Sequence, residues 1–119
     1  MLVKICNVAR ADKNDIITEV FKSKAILAGS PTVNKGILSA LAGILEEIRG
    51  LGFKNKKAAA FGAYGWSGES VGMISARLTE GGFTLVNDGL KLLWNPDHEG
   101  IAACKSFGSN FARAVRCIN

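Results

Sequence analysis

The stretch Ala25-Ile26-Leu27-Ala28-Gly29-Ser30-Pro31-Thr32-Val33-Asn34-Lys35-Gly36 decides the fold, because an unbroken apolar run empties into a loop of hydroxyl, amide and glycine residues. Such a run, bounded by a turn, is what a strand covered on both faces requires, and that implies helices on either side of a parallel sheet. On its N-terminal side, Leu2–Val8 reads as another strand, with Val3 and Ile5 at period two. Asp12 then offers an N-cap for a short helix whose apolar residues are Ile16, Ile17, Val20 and Phe21. Downstream, Ile37, Leu38, Leu41, Ile44, Leu45, Ile48 and Leu51 recur at helical spacing, and Gly50 or Gly52 can end that helix.

The alternation continues outward. Lys57–Gly62 reads as a buried strand and Gly68–Glu80 as a helix with Val71, Ile74 and Leu78 inward. Ser67 is placed as its N-cap, Glu69 suits the positive end of its dipole, and Gly81-Gly82 stops it. Phe83–Val86 and Leu90–Trp94 read as short strands separated by Asn87, Asp88 and Gly89. A last helix opens at Asn95-Pro96, with Ile101, Cys104, Phe107, Phe111 and Val115 on its buried side. Strands alternating with helices over 119 residues make one α/β domain, residues 1–119, with a mainly parallel sheet.

Composition removes several classes of function. With 48% hydrophobic and 21% charged residues the chain can bury a core, and its apolar runs fall far short of a bilayer span. No secretory signal pattern opens the sequence, so a soluble, cytoplasmic protein without a membrane partner is expected. Fifteen Lys+Arg against ten Asp+Glu give a net charge of +5. The densest basic cluster, Lys54, Lys56 and Lys57, reads as a solvated loop, with no arginine stripe or stacking aromatics to suggest nucleic acid. Cys6, Cys104 and Cys117 form no CxxC pair and His98 is the sole histidine, so buried thiols are expected and no metal site or catalytic triad.

In an open parallel sheet, ligands bind beyond the carboxyl ends of the strands. Two loops fall there. Residues 29–36 supply hydroxyls, an amide and glycine-freed backbone for the polar edge of a heterocycle. Phe61-Gly62-Ala63-Tyr64-Gly65-Trp66-Ser67-Gly68 presents aromatics among glycines ahead of a helix. Aromatic faces stack on planar rings, and glycines let backbone amides approach the ring edge. Together the loops favour a slot for a flat ligand.

At these loops the chain resembles the C-terminal flavodoxin-like domain of the flavodiiron proteins, the A-type flavoproteins that include flavorubredoxins. The matching segments are Asn7-Val8-Ala9-Arg10 with Asp12 to Glu19, Gly29-Ser30-Pro31-Thr32-Val33-Asn34, Leu45-Glu46-Glu47 with Gly50-Leu51, Phe61 to Gly68, and Trp94-Asn95-Pro96-Asp97. The resemblance runs collinearly over nearly the whole chain. It implies a flavodoxin-like three-layer sandwich that binds FMN, with Pro31, Thr32, Val33 and Asn34 along the ring's polar edge. Ala63, Tyr64, Gly65, Trp66, Ser67 and Gly68 would cover the ring. The family passes electrons singly from a rubredoxin-type donor through FMN to a diiron domain, so no side chain here need act as acid, base or nucleophile.

Three departures are mild: Ala63 stands where the family often has serine, Lys35 where asparagine is frequent, and Ser39 where proline is common. The larger one is at the front. The chain starts at what resembles the family's second strand, so the fold expected is N-terminally truncated, without the first strand, the phosphate-holding loop and the first helix. Weakened or lost FMN binding follows as an expectation. So does an open sheet edge, which is expected to be met by Leu2–Val8 moving over, by a partner chain, or, as the favoured outcome, by a homo-oligomer. The alternative to an electron-transfer domain is a cofactor-free module that works by self-association.

Overall fold

A computed structural model describes residues 2–33, 35–65, 68–93 and 97–116. The elements run α1 (Lys13–Lys22), β1 (Ala25–Gly29), α2 (Ser39–Leu51), β2 (Lys57–Tyr64), α3 (Glu69–Glu80), β3 (Thr84–Leu85), β4 (Leu90–Leu93) and α4 (His98–Arg116). β1 pairs in parallel with β2, from Ala25 opposite Lys57 to Gly29 opposite Phe61. β3 and β4 both pair in parallel with the other edge of β2, at Lys57–Ala58 and at Phe61–Tyr64. The two short strands expected from the sequence are therefore two halves of one interrupted edge strand. The turn at Asn87, whose side-chain oxygen accepts the Gly89 N–H at 2.8 Å, absorbs the extra residues between them.

Side-chain alternation assigns the two faces. Ala58 and Ala60, both fully buried, join Ile44, Ile48, Ile74 and Leu78 in the core between β2 and the helices α2 and α3. Lys57, Ala59 and Phe61 point the other way, where the Lys57 ammonium donates to the Ala114 carbonyl of α4 at 3.0 Å. Lys56 is likewise turned inward from its strand's start: it donates to the Phe21 carbonyl at 3.2 Å and to the Ser23 carbonyl, and its charge stands 5.5 Å from the centre of the Phe53 ring. The expected solvated lysine loop thus holds only for Lys54. Carbonyls left unpaired at the end of α1 and late in α4 are acceptors that draw in the long, flexible side chains.

Residues 2–8 correct a second expectation. They are not a strand: among the described residues nothing pairs with them, and Leu2, Val3 and Ile5 are exposed while Cys6 and Val8 pack on the core. A strand needs a hydrogen-bonded neighbour, and the segment instead ends at Asn7, whose side chain and carbonyl gather the N–H groups of Ala9, Arg10 and Ala11 into a turn. The move of Leu2–Val8 onto β1 does not occur. β1 itself departs from the expected two-sided burial, since Leu27 remains 43% exposed. In α4, Phe111 is buried as expected but Ile101 is 47% exposed.

The remaining helix ends follow local chemistry. Asp12 caps α1 by accepting the Asn14 N–H at 2.8 Å. Gly52, at φ 64°, closes α2 in the left-handed conformation that glycine adopts without penalty. The expected N-cap Ser67 lies outside the described residues, as do Trp94, Asn95 and Pro96. No helix among the described residues is long and apolar enough to cross a membrane.

Candidate functional site

The rim at the carboxyl ends of β1 and β2 is assembled by continuing their ladder past the regular strand. The Ser30 N–H donates to the Phe61 carbonyl at 3.2 Å and the Thr32 N–H to the Ala63 carbonyl at 3.1 Å. Thr32 then does a second job: its hydroxyl oxygen accepts the Ser70 N–H at 3.1 Å, satisfying a donor in the first turn of α3. The loops 29–36 and 61–68 are thus joined by a backbone bond and a side-chain bond through one residue. Thr32 and Tyr64 lie on the same side of the sheet by alternation, while Pro31 and Ala63 turn toward the opposite side.

Ser30 anchors the base of the first loop. It is 3% exposed, its hydroxyl donates to the Pro31 carbonyl at 2.7 Å, and the same oxygen accepts the Leu38 N–H at 3.0 Å. Beyond it, Val33 and Gly36 exchange N–H groups and carbonyls at 3.0 and 2.8 Å, closing a tight turn that contains Lys35. Lys35 sits there at φ 63°, a left-handed conformation that costs an L-residue with a long side chain about 1 kcal/mol. This gives the departure from asparagine a physical consequence. Lys35→Gly is expected to raise stability by about 1 kcal/mol, read as a higher urea midpoint at unchanged slope; a lower midpoint would show that the turn is held otherwise.

Of the residues expected to contact a ring, Pro31 and Val33 are exposed and Thr32, Ala63, Tyr64, Gly65 and Gly68 half-buried, all at this rim. Asn34, Trp66 and Ser67 lie outside the described residues. A Cβ built on Gly68 would touch both the Tyr64 ring and the Lys91 stem at 3.4 Å, so Tyr64 lies across the start of α3. Below the rim opens a cleft of about 330 Å³ lined by Gly29, Pro31, Phe61, Leu92 and Cys104 among others. The sequence reading did not assign Leu92 or Cys104 to it. Nothing in the sequence marks them, because β4 reaches the cleft only through its offset pairing with β2.

The perturbed titrations lie elsewhere. Glu47 holds the Lys13 ammonium above its usual range, chiefly by hydrogen bonding, and the Glu46–Arg49 pair lowers the acid and raises the base. All four are exposed groups on α1 and α2. Among the described residues no group of His, Cys, Asp and Glu could hold a metal.

Comparison with known proteins agrees with this architecture. The sequence model of the flavodoxin family matches residues 1–108. The anaerobic nitric oxide reductase flavorubredoxin of Aeromonas hydrophila is 51% identical over 111 residues, which are 93% of this chain and 22% of that protein. The rubredoxin oxygen:oxidoreductase of Desulfovibrio gigas superimposes with a TM-score of 0.87 at 36% identity, over 92% of this chain and 27% of its own. An archaeal flavodoxin does so with a TM-score of 0.80 at 28% identity, over 92% of this chain and 74% of its own. The chain spans about a fifth of the length of the flavorubredoxins it matches.

Proposed function

Because the chain belongs to the flavodoxin family, we propose that its rim binds the isoalloxazine ring of FMN and serves one-electron transfer of the flavodiiron type. The observation that carries this reading is the double tie of Thr32 to Ala63 and Ser70, which brings the hydroxyl-bearing loop and the aromatic loop to one rim. Bound FMN would supply the redox chemistry. The chain's own residues hold and shield it. Tyr64 offers a half-buried aromatic face, the Gly65 and Gly68 backbone leaves the ring edge approachable, and Pro31 and Val33 screen it from water. The residues present fit a planar ring. Asn34, Trp66 and Ser67 belong to the same proposal on the sequence pattern alone.

We also infer that the ring is held more firmly than the phosphate. Among the described residues the rim offers no second hydroxyl-rich loop opening a helix: residues 7–12 before α1 contain no serine or threonine. A rubredoxin-type donor and a diiron domain are the partners that the similarity to flavorubredoxins suggests.

The test is titration with FMN and with riboflavin, followed by quenching of flavin fluorescence. Saturable quenching by both, with affinities within about tenfold, is expected, since charge-assisted phosphate bonds of ~1.5–3 kcal/mol each would otherwise separate them further. Tyr64→Ala is expected to weaken both about tenfold through loss of stacking, with little change in the unfolding midpoint. No quenching at millimolar flavin would remove the proposal.

A further inference from the structure

On β4, Lys91 stands opposite Gly62 of β2, so its side chain leaves the sheet on the side of Gly62 and Tyr64, toward α3. The residue is exposed, yet its stem does not run straight into solvent. A Cβ built on Gly68 would lie 3.4 Å from the Lys91 Cδ and 3.4 Å from the Tyr64 Cγ and Cδ1, so stem and ring flank one glycine at the start of α3. The ammonium follows that carbon by two bonds. Lys91 therefore brings a positive charge to the aromatic loop of the rim.

Local stability does not account for a cation at this place. Beside the amino end of α3 it meets the positive end of the helix dipole, which is unfavourable. The ion pairs among the described residues belong to Lys13, Arg49 and Arg77, and none includes Lys91. The loops 29–36 and 61–68 contain no aspartate or glutamate. Glu69, which opens α3, turns one carboxylate oxygen into the fold, whereas Lys91 is exposed.

We propose that Lys91 sets the redox preference of the rim, its positive charge favouring the reduced form of a bound flavin ring over the oxidised form. The inference rests on the reading that this rim binds flavin. An electron pair taken up with a single proton leaves the neutral ring negatively charged, and charge beside the ring is one of the means by which a protein tunes it. Attraction between Lys91 and that charge exists only after reduction. It appears as a higher affinity for the reduced ring than for the oxidised one, and hence as a raised midpoint potential. Two other roles for the same side chain leave different traces. Packing of the stem against Tyr64 acts on both oxidation states alike, and a contact with the phosphate acts on FMN but not on riboflavin.

The experiment titrates the full chain and Lys91→Gln anaerobically, by equilibrium dialysis, with oxidised and with dithionite-reduced riboflavin and FMN. Mildly alkaline buffer keeps the reduced ring anionic, and a redox dye reports the midpoint potential of the loaded chains. Lys91 is exposed, so Lys91→Gln retains the fold and most of the stem. Affinity for oxidised riboflavin is expected to change by less than about twofold. Affinity for reduced riboflavin is expected to fall about fivefold, the effect in water of losing one of two unit charges at close range, and the potential to fall with it. Lys91→Arg should restore both, and high salt should narrow the gap between the unaltered chain and Lys91→Gln. An unchanged ratio of the two affinities, an equal loss in both oxidation states, or a loss confined to FMN overturns the inference and leaves the flavin reading standing. Failure of the unaltered chain to bind oxidised riboflavin removes the flavin reading itself, and the inference with it.

Discussion

Gly62→Ala is expected to abolish flavin binding and to destabilise the chain by about 3 kcal/mol, at the upper end for overpacking. The added methyl would stand 2.3 Å from the Ser30 carbonyl oxygen and 2.8 Å from the Ser70 hydroxyl. Neither neighbour can yield cheaply. Ser30 is 3% exposed, and its N–H and hydroxyl are committed to Phe61, Pro31 and Leu38. Ser70 is 1% exposed, and its N–H is held by Thr32. The methyl therefore acts as a wedge where β1, β2 and α3 meet, and it separates the two loops that Thr32 ties together. Urea unfolding and an FMN titration on the same sample measure both effects. Gly43→Ala is the control: nothing lies within 4 Å of that Cβ on α2, and a gain of about 0.5–1 kcal/mol with flavin binding unchanged is expected. Equal behaviour of the two variants would mean that the rim is not sterically closed at Gly62.

This contrast also shows what could be read from the residues alone. The order of helices and strands was legible because each element carries its own period: Ile44, Leu45 and Ile48 turn inward along α2, and the Ala25–Gly29 run becomes β1. The location of the rim was legible because ligand-facing loops follow the carboxyl ends of parallel strands. What escaped is everything that depends on pairing. Residues 2–8 alternate like a strand, but alternation is a property of one segment and a strand is a property of two. The same holds for the single edge shared by β3 and β4, whose register is set by β2 and the turn at Asn87.

The site was only partly legible for a related reason. Thr32 reads from sequence as a hydroxyl facing a ligand, yet its oxygen accepts the Ser70 N–H. Its residual capacity is one donated hydrogen and one further lone pair. Lys56 and Lys57 read as solvent-facing charge, but each meets carbonyls more than thirty residues away in sequence. Composition counts donors and acceptors without saying which of them find each other.

Ile74→Ala is expected to cost about 4 kcal/mol, in the upper part of the range for buried aliphatic truncations, while Ile101→Ala costs less than ~1 kcal/mol. Ile74 is fully buried on α3, and Ile101 is 47% exposed on α4. The strand under α3 explains why the first loss is large. Ala58 and Ala60, which face α3, are both fully buried, and such small side chains let a helix approach the sheet backbone closely. Ile74 and Leu78 then fill the space that larger strand residues would occupy. Collapse into the vacated volume is blocked, because β2 is bonded to β1 on one edge and to β3 and β4 on the other. A cavity that cannot relax keeps its full penalty. Urea unfolding of both variants checks the difference. If Ile74→Ala lost only as much as Ile101→Ala, the sheet would be free to follow the helix, and the rigid β2 platform assumed for the Thr32–Tyr64 rim would not exist.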